Sequence, residues 1–232
     1  MAAEPSRADT DKLFDQLASG DDKRVLLAVK SVRDARDAKY YDLMQAIFSG
    51  GAYVYGGRSE YSGVVVAGEG VEDDYGDATF PLQTPYPEIA PILDESGELL
   101  MVAEVDLDEI ETSRQIRATI QPYLTSMALF HPNSQKRRVA AELLGNGSPL
   151  AENIALLNKA AEQESNSSVR TTMQVASAKL RLSSEDVSER IEAVRSLGTL
   201  NDTFVIPLLE KRVKLEEDAE IQEALDEALQ SL

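Results

Sequence analysis

The sequence contains no cysteine and a single histidine, and its apolar runs are only a few residues long. Without cysteine there is no disulfide, no thiol nucleophile and no thiolate metal site, while the redox compartment stays open. Runs such as Val64 to Ala67 fall far short of the roughly 20 apolar residues a membrane helix needs. Positive charge is also scarce: 23 Lys and Arg stand against 41 Asp and Glu, a net charge of −18. A field of that sign repels nucleic acid and anionic lipid surfaces, so neither is an expected partner. Solubility in a salty habitat is the simplest account of the charge, and a specific cationic partner is the other. The amino terminus, MAAEPSRADTDK, lacks the basic and apolar regions of a signal peptide. The chain is therefore expected to be soluble, either as it stands or as a piece of a larger protein.

What is present suffices for a folded core. The 232 residues (25.4 kDa) are 43% hydrophobic, enough for one domain or two small ones. Three regions differ in pattern. Residues 10–49 read as helical: Leu13, Phe14 and Leu17, then Val25, Ala28, Val29 and Val32, then Leu43, Met44 and Ile47 recur at helical period. Ser19, Gly20, Asp21 and Asp22 supply a stop and a new start between the first two segments. Residues 50–108 change character. Short runs rich in Val, Tyr, Thr and Phe are bounded by Gly, Pro and Asp, which predicts a small antiparallel β insertion. Residues 109–232 return to helix.

In that last region the sequence repeats. Placing Arg137 on Arg190 aligns Ala140 with Ala193, Ala141 with Val194, Leu144 with Leu197 and Gly145 with Gly198. After a one-residue slip, Ile154 matches Ile206, Leu157 matches Leu209, Ala161 matches Val213, Glu164 matches Glu216, Val169 matches Ile221 and Ala176 matches Ala228. Ala28, Val29 and Val32 fit the same frame as Ala193, Val194 and Leu197. A helical hairpin with an apolar face it cannot bury alone stacks on its neighbour. The predicted fold is mostly α, a HEAT-like α-solenoid of helical hairpins with a small antiparallel β insertion.

Chemistry is sparse. His131, in LFHPNS, falls at the predicted end of a helix over 115–130, where it complements the helix C-terminus. It lacks the partners that general-base catalysis needs. There is neither a nucleophile elbow nor a phosphate loop, so no enzyme activity and no cofactor are expected. Glu69, Glu72, Asp73, Asp74 and Asp77 share a glycine-rich segment and are weak candidate calcium ligands. Their spacing does not follow the EF-hand, so a solvated loop and no metal centre are expected. Glu104, Asp106 and Asp108 alternate with Val105 and Leu107, as on a strand with one wet face. Glu109 and Glu111 favour the start of the next helix. Tyr53, Tyr55, Tyr61, Tyr75 and Tyr86 gather in the insertion; they are candidate interaction residues, and filling a small sheet is their other role.

The order of elements carries a resemblance. A first helical repeat precedes an insertion of YVY…VVVA type, followed by EVDLDEIETSRQIRATIQPYLTSMALFHPNSQKRRVAAELL, then SSVR, then LRLSSEDVSERIEAVRSLG. This resembles the extracytoplasmic amino-terminal region of the permease subunit of urea-type ABC transporters, from about Phe14 to Leu232. The best-matching residues are Arg117, Leu180, Arg190, Ala193, Val194, Leu197 and Gly198. The resemblance implies a non-catalytic domain of a urea or short-chain amide importer's permease, on the periplasmic side of a bacterial membrane and tethered to that membrane in the parent protein. Its implied partners are the periplasmic substrate-binding protein and the other transporter subunits. It implies no catalytic residues, since ATP hydrolysis belongs to separate subunits. A free-standing acidic HEAT-like scaffold is the competing expectation, with a HEAT-type lyase behind it.

Overall fold

The computed structural model describes residues 7–57, 61–72, 77–200 and 202–232. Among them the chain is mostly helical, with ten α-helices and a small antiparallel sheet. It divides into two compact units, one ending at Met127 and one beginning at Ala128.

The first unit begins with α1 (Arg7–Leu17), α2 (Asp22–Ala35), a 3₁₀ turn (Ala38–Tyr40) and α3 (Tyr41–Ser49). Gly20 stops α1 with a φ of +64°, a conformation that suits a residue without Cβ. Asp21 then caps α2 by accepting hydrogen bonds from the Lys23 and Arg24 amides. Seven strands follow: β1 (Ala52–Tyr55), β2 (Gly63–Ala67), β3 (Val71–Glu72), β4 (Ala78–Thr84), β5 (Ala90–Pro91), β6 (Met101–Ala103) and β7 (Leu107–Glu109). Helix α4 (Arg114–Met127) closes the unit by packing on both α2 and α3. The buried Tyr123 of α4 donates its hydroxyl to the Asp37 carbonyl oxygen at 2.6 Å.

The sheet runs β3-β4-β2-β1-β7, with β5 and β6 both paired to β4, and every pairing is antiparallel. Its core of Tyr55, Val65, Leu82, Ile92, Val102 and Leu107 comes entirely from the insertion. The sheet thus folds over its own side chains. Residues 104–106 depart from the expected strand. They form a 3₁₀ turn, which breaks the period-two alternation and leaves Val105 92% exposed while Leu107 is buried.

The second unit holds α5 (Ser134–Gly145), α6 (Ala151–Gln163), α7 (Ser167–Arg181), α8 (Val187–Gly198), α9 (Ile206–Val213) and α10 (Ala219–Ser231). The repeat seen in the sequence is a three-helix unit rather than a pair. Helix α7 packs on both α5 and α6, and α10 packs on α8 and α9. Asn133 and Asp186 cap the first helix of each copy, while Asn166 and Asp218 cap the third. Helix α7 is shared: Val169, Met173, Ala176 and Leu180 face the first cluster, whereas Ala178 and the C-cap residue Leu182 join the second.

The first unit contains the same triplet, interrupted. Helices α2 and α4 correspond to α5 and α7, and α3 with its leading 3₁₀ turn corresponds to α9 with its own turn (Thr203–Val205). Asp37 and Asp202 cap those two turns, on the Lys39 and Phe204 amides. Ile116, Ile120 and Tyr123 occupy the inward places of Val169, Met173 and Ala176. The sheet is inserted between the second and third helices of this copy. For that reason α4, which its sequence groups with the C-terminal helices, belongs to the first unit.

Close approach explains the matched glycines. A Cβ on Gly145 would lie 2.7 Å from the Ala176 Cβ, and one on Gly198 would lie 3.0 Å from the Ala228 Cβ. Gly145→Ala is expected to destabilise by about 1 kcal/mol net, because overpacking (about 1–3 kcal/mol) outweighs the helix-propensity gain. Urea denaturation of the full chain measures it, and a stabilised variant would contradict the packing of α5 on α7.

Candidate functional site

The strongest polar constellations among the described residues are two copies of one clamp. Arg137 donates from Nε and Nη2 to the Glu164 carboxylate at 2.5 and 2.8 Å, and from Nη1 to the His131 and Pro132 carbonyls. Arg190 repeats this on Glu216 at 3.2 and 3.3 Å, and on the Ser184 and Glu185 carbonyls. The clamped glutamates also offer their backbone carbonyls to Arg170 and Gln222 respectively. Arg137 holds the Glu164 carboxyl below its ordinary range. Burial works to raise Glu216, but the hydrogen bonds and charges of Arg212 and Arg190 outweigh it. Each clamp ties the loop before one helix to the end of another, which is a structural task. The repeat alignment paired Arg137 with Arg190 and Glu164 with Glu216, but nothing in it showed that the two residue types grip each other.

His131 lies in such a loop. Its Nδ1 accepts the Asn133 amide at 2.9 Å, which supports the turn into α5. Among the described residues, the tyrosines of the insertion do not share one surface. Tyr55 is buried in the sheet core, with Tyr53 and Tyr61 packed against it. Burial raises the phenol pKa of both Tyr53 and Tyr61. Tyr86 stacks on Tyr40, ring centres 4.5 Å apart, and meets Phe14 edge-on, so it fastens the insertion to the helices of the first unit. Glu69, Glu72 and Asp77 are exposed. Asp73, Asp74 and Tyr75 lie outside the described residues. Among the described residues, no group of three or more carboxylate or histidine side chains is arranged to hold a metal ion.

Two features of the first unit have the character of an interaction site. A cleft of about 500 Å³ opens between the α1–α2 turn and β7, with Leu17, Val25 and Ile110 on its apolar side and Asp22, Asp108 and Glu109 among its polar lining. The second feature is larger. Residues 50–113, between α3 and α4, hold fifteen of the 41 acidic residues and one of the 23 basic ones, which is −14 of the total −18. Most of the net negative charge therefore belongs to the insertion rather than to the rest of the chain. Counting charge region by region would have found this in the sequence.

That insertion also exposes apolar side chains. Leu93 and Leu99 face each other across a β-bridge, and Met101 lies opposite Pro81. Leu93, Leu99 and Met101 are 56%, 46% and 42% exposed. Compared with known protein families, curated proteins and solved structures, the chain matches none.

Proposed function

We propose that this chain is a non-catalytic docking domain, in which helical repeats carry a β insertion that engages a protein partner. The carrying observation is that one copy of a repeated three-helix unit is interrupted by a sheet that concentrates most of the net charge and exposes large apolar side chains. Repeat copies stacked through a shared helix, as α7 is shared, favour a HEAT-like α-solenoid for the helical part.

The order of elements further supports a place in the permease subunit of a urea-type ABC transporter, on the periplasmic side of the membrane. The partner is then the substrate-binding protein. Calorimetric titration with that binding protein, with and without urea, is expected to give a saturable complex in the micromolar range. No heat of binding at high micromolar concentration overturns this reading. A free-standing acidic scaffold with a basic partner is the second reading, and the charge of the insertion favours it equally. The parent gene separates them. An upstream export signal and several downstream runs of about 20 apolar residues belong to the transporter, and their absence to the scaffold.

A further inference from the structure

We infer that the docking site is the outward face of the sheet corner formed by β4, β5 and β6, centred on Leu93, Leu99 and Met101. Its occupant is a cationic amphipathic segment of a partner protein. This rests on the docking-domain reading and specifies its surface and the chemistry of its partner.

The register fixes the face. Leu93 and Leu99 are cross-strand neighbours, Met101 lies two residues beyond Leu99, and Pro81 is its opposite number. Their chain neighbours turn the other way: Ile92 and Val102 lie in the sheet core and Leu100 packs against it. Outward positions of an antiparallel sheet with one wet face are ordinarily polar. Here three large apolar side chains stand together on one face, each about half exposed. Apolar groups gathered in this way mark contact surfaces, whereas isolated ones carry no such meaning.

The rim around them is anionic and held in shape. Asp94, Glu95 and Glu98 are exposed at the turn joining Leu93 to Leu99. Asp94 Oδ1 accepts from the Ser96 amide, the Ser96 hydroxyl and the Glu98 amide, and Gly97 completes the turn at a φ of +84°. The Asp94 carboxylate organises the turn, which sets Glu95 and Glu98 beside the apolar centre.

Charge decides the occupant. The insertion contains a single basic residue against fifteen acidic ones, so its counter-charge comes from outside. A second copy would bring two faces of the same sign together, and nucleic acid or an anionic membrane would be repelled likewise. Simple cations would neutralise the rim without needing the leucines. A segment alternating basic and apolar side chains satisfies both parts, with steering from the charge and burial from the leucines.

The test uses the full chain, the variants Leu93→Ser with Leu99→Ser and Glu95→Lys with Glu98→Lys, and two fluorescein-labelled peptides that alternate leucine with either lysine or glutamate. Far-ultraviolet circular dichroism checks that both variants, altered only at exposed positions, keep their fold. The lysine–leucine peptide is expected to bind the wild type and the glutamate–leucine peptide not to bind. Either double variant should weaken binding about tenfold at physiological ionic strength, and added salt should weaken it further. Equal binding by the Leu93→Ser, Leu99→Ser variant overturns the site, as does photo-cross-linking mapped to residues 128–232. Concentration-dependent self-association lost in that variant overturns it in favour of a second copy. The transporter's binding protein separates the two proposals. If it binds wild type and the leucine variant equally, the docking role stands and this surface falls. If it binds neither while the peptides still discriminate, this surface stands and the transporter assignment falls.

Discussion

Replacing Glu164 by alanine is expected to cost about 3 kcal/mol, because it strands a guanidinium built into the fold. The glutamate side chain is 2% exposed and its partner Arg137 16%. Removing the carboxylate leaves Arg137 Nε and Nη2 and the Asn166 amide without their acceptors. Asn166 is itself the cap of α7, so the loss reaches the helix that both repeat copies share. Arg137→Lys should fall between wild type and Glu164→Ala, since an ammonium cannot supply the two-pronged contact. The pH dependence has a definite sign. Arg137 depresses the folded carboxyl below its ordinary 4.5, so the unfolded chain takes up its proton first. The stabilisation is present above about pH 4.5 and is lost as pH falls through the lower folded value. Urea midpoints from neutral pH downward should show a steep acid limb in the wild type and a shallower one in Glu164→Ala. A loss below about 1 kcal/mol, or an unchanged acid limb, would mean that the clamp adds nothing to folding.

The helical repeat was legible because its constraints are local. An arginine after the cap, small residues at the helix crossing and a glycine at the helix end recur at fixed offsets, each for a packing reason that leaves a residue type behind. The first copy was nearly invisible. Val25 stands where the clamp arginines Arg137 and Arg190 stand, and Tyr123 replaces the small Ala176 and Ala228. The sheet separates α3 from α4, and no local periodicity reports that α4 returns to pack on α2. The sheet face was hidden for a related reason. The run ELLMVA is apolar at nearly every position, so alternation alone does not tell which leucine turns inward. Pairing with β4 decides it, sending Leu100 and Val102 into the core and leaving Leu99 and Met101 outside. The tyrosines were conspicuous in composition, yet their places were set by tertiary packing. Tyr55 fills the sheet while Tyr86 stacks on Tyr40.

Leu197→Ala is expected to be among the most damaging substitutions of the second unit, at about 2–5 kcal/mol. Leu197 is fully buried and shares a cluster with Val194, Val205, Leu209, Ile221 and Leu225, drawn from α8, α10 and the segment around α9. Those side chains are anchored on different helices, so collapse into the vacated space requires whole helices to shift, and the upper half of the range follows. Its counterpart Leu144 is 9% exposed, at the edge of the other cluster where solvent replaces part of what is lost, so Leu144→Ala should cost measurably less. Leu209→Ala should match Leu197→Ala, and the double variant should cost less than the two single effects combined because both open the same space. Urea denaturation of the four variants beside wild type tests the set. A nearly neutral Leu197→Ala would place the inward face of α8 elsewhere, and with it the alignment of Leu197 on Leu144. Equal losses at Leu197 and Leu144 would instead keep that alignment and contradict only the difference in burial between the two copies.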